Sequence, residues 1–325
     1  MPNTQKPKLS MLNEAVHSMW TSAKRYRSIW LGPVSVKFRF ARSARVSSNS
    51  FRRLTGGLKR SLSTVSAHTA SDTPIPAHQV LPPIRDVLPQ QETALVIGVG
   101  PGLGFALARK LAGSGLHVAL ASRNAGRLNP LVKSLGVMQN QIIRAYGCDA
   151  SDEASVKNLM SHVGKDMNVP DLVVYSVQGF IPGSMINTEV AAFEECWRQN
   201  CLGAFIAARE AARGMLPLRR GTIVLIGSTS GMIGRPGCLN LAVGKFGLRA
   251  LAQVMARELW PSGIHVAHLV VDADIREEGS IHVHDRQAKP EDISELVYML
   301  YRQPKSSWTS EVDARPWNVD FWQHC

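Results

Sequence analysis

The apolar run TALVIG at 93–98 leads directly into the glycine-rich turn VGPGLG at 99–104 and then into the helical pattern FALARKLAGSG. A buried strand that turns this tightly into a helix constrains the fold more than any other feature of the chain. Glycines allow the sharp reversal and let a ligand approach the backbone. The helix that follows presents its first amides and the positive end of its dipole to an anion such as a pyrophosphate. Gly98, Gly102, Leu103 and Gly104 are the positions expected to form that cradle, with the glycines spaced G-x-x-x-G-x-G.

The same alternation continues. HVALAS (117–122), QIIRAYGCD (141–149), DLVVYS (171–176), GTIVLIG (221–227) and GIHVAHLVV (263–271) read as further strands. Long helical patterns cover about 190–215 and 240–259. Another helix opens on the acidic start at Pro290, and a last short strand is expected near 311–315. Repeated strand–helix–strand units predict an α/β domain, a doubly wound parallel sheet with helices on both faces.

Charge separates this body from what precedes it. Residues 1–70 hold 13 Lys and Arg and one acid, Glu14, while the other 255 residues carry 24 basic and 24 acidic side chains. A neutral body offers no excess positive charge for phosphate, so no nucleic-acid partner is expected for it. The expected organisation is a basic, Ser-rich, disordered arm (1–69), a Pro-rich linker (70–91) and one folded domain (92–325). The arm has the composition of an organelle transit peptide, which points to the mitochondrion. A basic arm without an address would leave the protein cytoplasmic. Five cysteines without a C-x-x-C pair suggest neither a disulfide framework nor a metal site. The longest apolar runs fall short of 18 residues, so no transmembrane helix is expected.

At the end of the second expected strand stands Arg123 rather than an acid. Arginine pairs with a 2′-phosphate and not with a neutral sugar, which favours NADP(H) over NAD(H). Asp149, after the third strand, is placed to accept a hydrogen bond from an adenine amine, or to cap the helix that follows.

Taken together, these segments resemble the short-chain dehydrogenase/reductase family over about 93–316. The resemblance implies a Rossmann-type domain that transfers hydride between NADP(H) and a small carbonyl or alcohol substrate, in a homodimer or homotetramer. It assigns the catalytic serine to Ser228, the lysine to Lys245, which also holds the nicotinamide ribose, and the helix asparagine to Asn200. The family's catalytic tyrosine, four residues before the lysine, is Leu241 here. Leucine has no proton to give. Two further departures fall in the substrate half: Tyr175-Ser176-Val177-Gln178 stands for N-N-A-G, and Asp272-Ala273 for Pro-Gly. The segment Ile275–Lys289 is short for a substrate-covering loop.

Tyr175 at a strand end, or His282 and His284, are conceivable replacement donors. A tyrosine at a strand end is more often a packing residue, and a polar loop without function is the more common reading of the histidines. Trp308, Trp317 and Trp322 read as packing or subunit-contact residues. Two functions follow: an NADP(H)-dependent oxidoreductase, weak for want of the tyrosine, or a dinucleotide-binding sensor or structural subunit without turnover.

Overall fold

The computed structural model describes residues 91–136, 141–275 and 287–322. The expected arm, nearly all of the linker, and His282 and His284 lie outside the described residues. The order of elements is β1 (Thr93–Ile97), α1 (Leu103–Gly113), β2 (His117–Ser122), α2 (Asn129–Leu135), β3 (Ile143–Gly147), α3 (Glu153–Asp166) and β4 (Leu172–Tyr175). Then follow α4 (Val190–Trp197), α5 (Gly203–Met215), β5 (Thr222–Ser228), α6 (Leu239–Leu259), β6 (His265–Val271), α7 (Pro290–Arg302) and β7 (Glu311–Ala314).

The seven strands form one parallel sheet in the order β3-β2-β1-β4-β5-β6-β7. Consecutive residues of β1 supply opposite cores. Ala94 and Val96 join α1, α2 and α7 through Leu107, Leu131 and Val297. Leu95 and Ile97 join α3, α5 and α6 through Leu159, Ala208 and Leu248. Burial on both faces explains why these strands read as continuous apolar runs without alternation. Strand order reverses between β1 and β4, and in such sheets ligands bind in the crevice beyond the strand ends at that point.

One expectation needs correction. The helix over 190–215 is interrupted by one wide π-type turn, Arg198–Leu202. Asn200 causes it: its buried Nδ2 donates to the carbonyl of Cys196 at 2.9 Å, four residues back, and occupies an acceptor that the helical ladder would use. Cys148, Cys196 and Cys201 are free, but Cys238 is disulfide-bonded. Among the described residues no helix is long and apolar enough to cross a membrane.

Candidate cofactor and active site

The glycine turn works by close approach. Gly98 has φ +94°, and a Cβ there would lie 2.8 Å from the Ser176 backbone. Its amide and that of Val99 donate to the carbonyl of Ala121 at 2.9 and 3.0 Å, which ties the turn to β2. A Cβ on Gly104 would come within 2.7 Å of Cα of Val99, so glycine lets α1 settle against the strand end. Gly102 precedes α1 and gives it no side-chain cap. The Phe105 amide donates to the carbonyl of Gly100 at 3.1 Å, which leaves the Leu103 and Gly104 amides of the first turn for another acceptor. Above Gly100 there is open space within 4 Å.

Two cavities meet at this turn. The larger, about 980 Å³, extends over β2 and β3 and is lined by Ser122, Arg123, Arg127, Asp149 and Arg198. The smaller, about 380 Å³, extends toward β5 and is lined by Leu103, Gly104, Ser176, Ser228, Lys245 and Ala273. Gly98, Gly100, Ser176 and Gln178 line both. The groove suits an elongated ligand with a phosphate in the middle, so the residues present fit a dinucleotide.

Asp149 does not cap α3. Asp152 does, with its side chain accepting from the amide of Ser155 at 2.8 Å. Asp149 Oδ1 instead accepts from the Ser151 hydroxyl at 2.7 Å and the Ser151 amide at 2.9 Å. The Ser151 hydroxyl lowers the pKa of Asp149 below the ordinary carboxylate value against a partial burial; the Ser151 amide, Arg123 and Arg198 act in the same direction.

In the smaller cavity, Ser228 ends β5. Its hydroxyl is buried and has no hydrogen-bond partner among the described residues. Lys245 lies in α6, 2 % exposed, with Nζ donating to the carbonyl of Ile226 at 3.0 Å. Burial pulls its pKa down from the ordinary lysine value to about 8. Asn200 is fully buried; besides Cys196 it bonds both ends of Gly179, Nδ2 to the carbonyl at 2.7 Å and Oδ1 to the amide at 3.2 Å. A Cβ on Gly244 would lie 2.6 Å from that of Asn200, so the asparagine packs against α6 beside Lys245.

Leu241 sits one helical turn before Lys245, has no solvent exposure, and lines neither cavity. Tyr175 does not point into the groove. Its hydroxyl donates to the carbonyl of Gln199 at 2.5 Å, and burial pushes its pKa well above the ordinary phenol value. The remaining tryptophans divide. Trp308 stacks on His265 with ring centroids 4.9 Å apart, whereas Trp317 is 92 % exposed and Trp322 lies against Arg315. Arg127 and Arg198 escaped the sequence reading, though Arg127 follows Arg123 at the four-residue spacing of one helical turn.

A family model described as short chain dehydrogenase matches residues 92–273. A short-chain dehydrogenase/reductase of Armillaria gallica is 32 % identical over 182 residues, 54 % of this chain and 69 % of that protein. Two other curated relatives are matched over 61 % and 63 % of their length, and a dehydrogenase/reductase of Bos taurus, 25 % identical, over 95 % of its length. The structure of a short-chain dehydrogenase from Rhodopseudomonas palustris is 33 % identical with TM-score 0.64, covering 70 % of this chain and all of that one. An alcohol dehydrogenase from Thermococcus sibiricus, solved with 5-hydroxy-NADP, is 22 % identical with TM-score 0.64 over 71 % of this chain and 99 % of its own, and shares the fold. With the glycine turn, the serine and the lysine set along one groove of a seven-stranded parallel sheet, the chain belongs to the short-chain dehydrogenase family, whose members bind a nicotinamide dinucleotide.

Proposed function

We propose that this protein binds NADP(H) and reduces a small carbonyl, or oxidises the corresponding alcohol, slowly. The observation that carries the reading is the continuous groove. It has Arg123 and Arg127 at one end, Ser228 and Lys245 at the other, and leucine where the family has its proton donor. The uncapped first turn of α1 would hold the pyrophosphate, Arg123 with Arg127 the 2′-phosphate, Asp149 the adenine amine and Lys245 the nicotinamide ribose. The bound dinucleotide supplies the hydride or accepts it. Ser228, whose hydroxyl is otherwise unspent, hydrogen-bonds the substrate oxygen, and the Lys245 ammonium favours negative charge there. Asn200 holds the Gly179 loop against α6 behind the lysine. Nothing at 241 delivers a proton, so the proton comes from water.

The absence of any lining role for Leu241 favours a second reading, a dinucleotide-binding sensor or structural subunit without turnover. For location we favour the mitochondrion, with the arm as a transit peptide. The mature protein from its native cells is then expected to begin well after Met1, and N-terminal sequencing that finds Met1 removes the transit reading. A homodimer or homotetramer is favoured by apolar side chains exposed along neighbouring helices, Trp197 on α4, Phe205 on α5, and Val243, Phe246 and Val254 on α6.

The cofactor reading is tested by titrating the full chain with NADPH and NADH. NADPH is expected to bind more tightly. Arg123→Ala is expected to weaken NADPH about ten- to a hundredfold, the range of a charge-assisted contact, and to leave NADH nearly unchanged. Equal losses for both would make Arg123 a structural residue.

A further inference from the structure

The glycine groove lies at the carboxyl ends of the strands; the opposite edge of the sheet carries a pattern that no step above uses. Between α5 and β5 the chain makes one 3₁₀ turn, Leu216–Leu218, with Pro217 near its start. Leu216 is 40 % exposed and Leu218 47 %. Arg219 closes the turn at φ +51°, in the left-handed region that side chains rarely adopt. Its carbonyl packs against Gly263, where a Cβ would collide with it, and lies 3.5 Å from Nζ of Lys305. The turn is thus pinned with two leucines in solvent and two cations beside them. Asp171 stitches it to the start of β1: Oδ2 accepts from the Thr93 amide at 3.0 Å, and Oδ1 lies 3.2 Å from Nε of Arg220. A cavity of about 460 Å³ opens beside the turn, lined by Arg220, Arg302, Lys305, Glu92 and Asp171. Arg220 pairs with Asp171 and Arg302 with Glu92, which leaves Arg219 and Lys305 without a carboxylate among the described residues. The chain enters the fold at this same edge, through Thr93, and its first 70 residues hold 13 Lys and Arg against one acid.

We propose that this edge docks on an anionic phospholipid bilayer: Leu216 and Leu218 enter the headgroup region, and Arg219, Lys305 and the basic arm face the lipid phosphates. The two features work together. Single exposed leucines need no explanation, and isolated surface cations are simply solvated. Leucines held next to unpaired cations fit a boundary where hydrocarbon meets phosphate, which rewards both at once. A nucleic acid would use the cations and leave the leucines in water. Because the sheet is parallel, the docked edge is the one away from the groove, and Ser228 and Lys245 stay accessible to ligands. The inference is independent of the cofactor reading. It also survives removal of the arm, since the edge keeps its own leucines and cations.

The test is co-sedimentation of the full chain with vesicles of phosphatidylcholine alone or with about 30 % phosphatidylserine. Binding is expected to favour the anionic vesicles and to fall as salt rises. Arg219→Gln and Lys305→Gln are each expected to weaken it about fivefold, the share of one cation at an anionic surface. Leu216→Ser with Leu218→Ser is expected to weaken it about tenfold or more. Every variant carries the arm, so its contribution cancels in these ratios. Circular dichroism checks folding, and a double leucine variant that does not fold is replaced by Leu218→Ser alone, with an expected loss of about threefold. Three outcomes overturn the proposal. Equal binding to neutral and anionic vesicles removes the charge complementarity. Loss in the cation variants with none in the leucine variant makes the edge a site for polyanions such as nucleic acid and not for a bilayer. Wild-type binding in all the variants assigns the membrane contact to the arm alone.

Discussion

Leu241→Tyr is expected to raise the rate of NADPH-dependent carbonyl reduction by about 10²-fold or more, the range that a positioned general acid contributes. Residues 241 and 245 lie one turn apart on the same face of α6, so a phenol at 241 stands beside the Lys245 ammonium. That positive charge favours the phenolate and eases proton transfer. Ser228 already lines the cavity with an unspent hydroxyl. The gain is opposed by packing. Leu241 has no exposure, and a larger ring forced into such a position typically costs about 1–3 kcal/mol of stability. The measurement is steady-state NADPH oxidation with a panel of small aldehydes and ketones, wild type against variant, together with thermal unfolding of both. A wild type that already turns over at about 1 to 10³ per second removes the premise that the missing tyrosine limits the rate. Tyr175 would not then be the donor, because its hydroxyl is committed to Gln199 inside the core.

The middle of the sheet was legible because its strands are buried on both faces and therefore read as unbroken apolar runs, unlike the edge strands β3 and β7. β1, β4, β5 and β6 fall within two residues of the expected limits for that reason. The glycine turn was legible because Gly98 and Gly104 are dictated by backbone clashes, and a clash leaves an unambiguous residue type. The turn around Asn200 was not legible. It depends on one side chain choosing a carbonyl four residues back, and an asparagine inside an apolar helix gives no sign of that choice. The turn at Leu216–Arg219 was passed over as the stretch between a helix and a strand; its meaning lies in Lys305, which is distant in sequence and adjacent only in the fold. Asp149 shows the converse. Two acids stand three residues apart at one strand end, and only the geometry assigns Asp152 to the cap and leaves Asp149 beside the groove.

Asp272→Ala is expected to destabilise the protein by about 3–5 kcal/mol, the usual consequence of removing one partner from a buried ion pair. In the sequence, Asp272-Ala273 looks like the loss of the Pro-Gly that shapes the family's nicotinamide pocket. In the structure Asp272 is completely buried and fully used. Oδ1 accepts from the Thr229 hydroxyl at 2.6 Å; Oδ2 accepts from Nη1 of Arg315 and from the amide of Trp322, both at 2.8 Å. The Arg315 guanidinium carbon lies 3.7 Å from the Phe321 ring centroid and 4.3 Å from that of Trp322. One carboxylate thus ties the residue after Ser228 to the chain beyond β7. Alanine would leave the Arg315 cation, whose side chain is only 10 % exposed, with the half-exposed Asp313 as its remaining carboxylate partner. For a domain of this size the loss corresponds to a fall in melting temperature on the order of 10 °C. Asp272→Asn keeps the shape and an acceptor for Thr229 and should lose less. The decisive measurement is a double-mutant cycle by chemical unfolding of Asp272→Ala, Arg315→Met and the pair. Two halves of one ion pair give a double variant much less destabilised than the sum of the singles, whereas simple additivity would mean that the two residues act independently. Because Thr229 adjoins Ser228, Asp272→Ala should also weaken NADPH binding at temperatures where the variant is still folded.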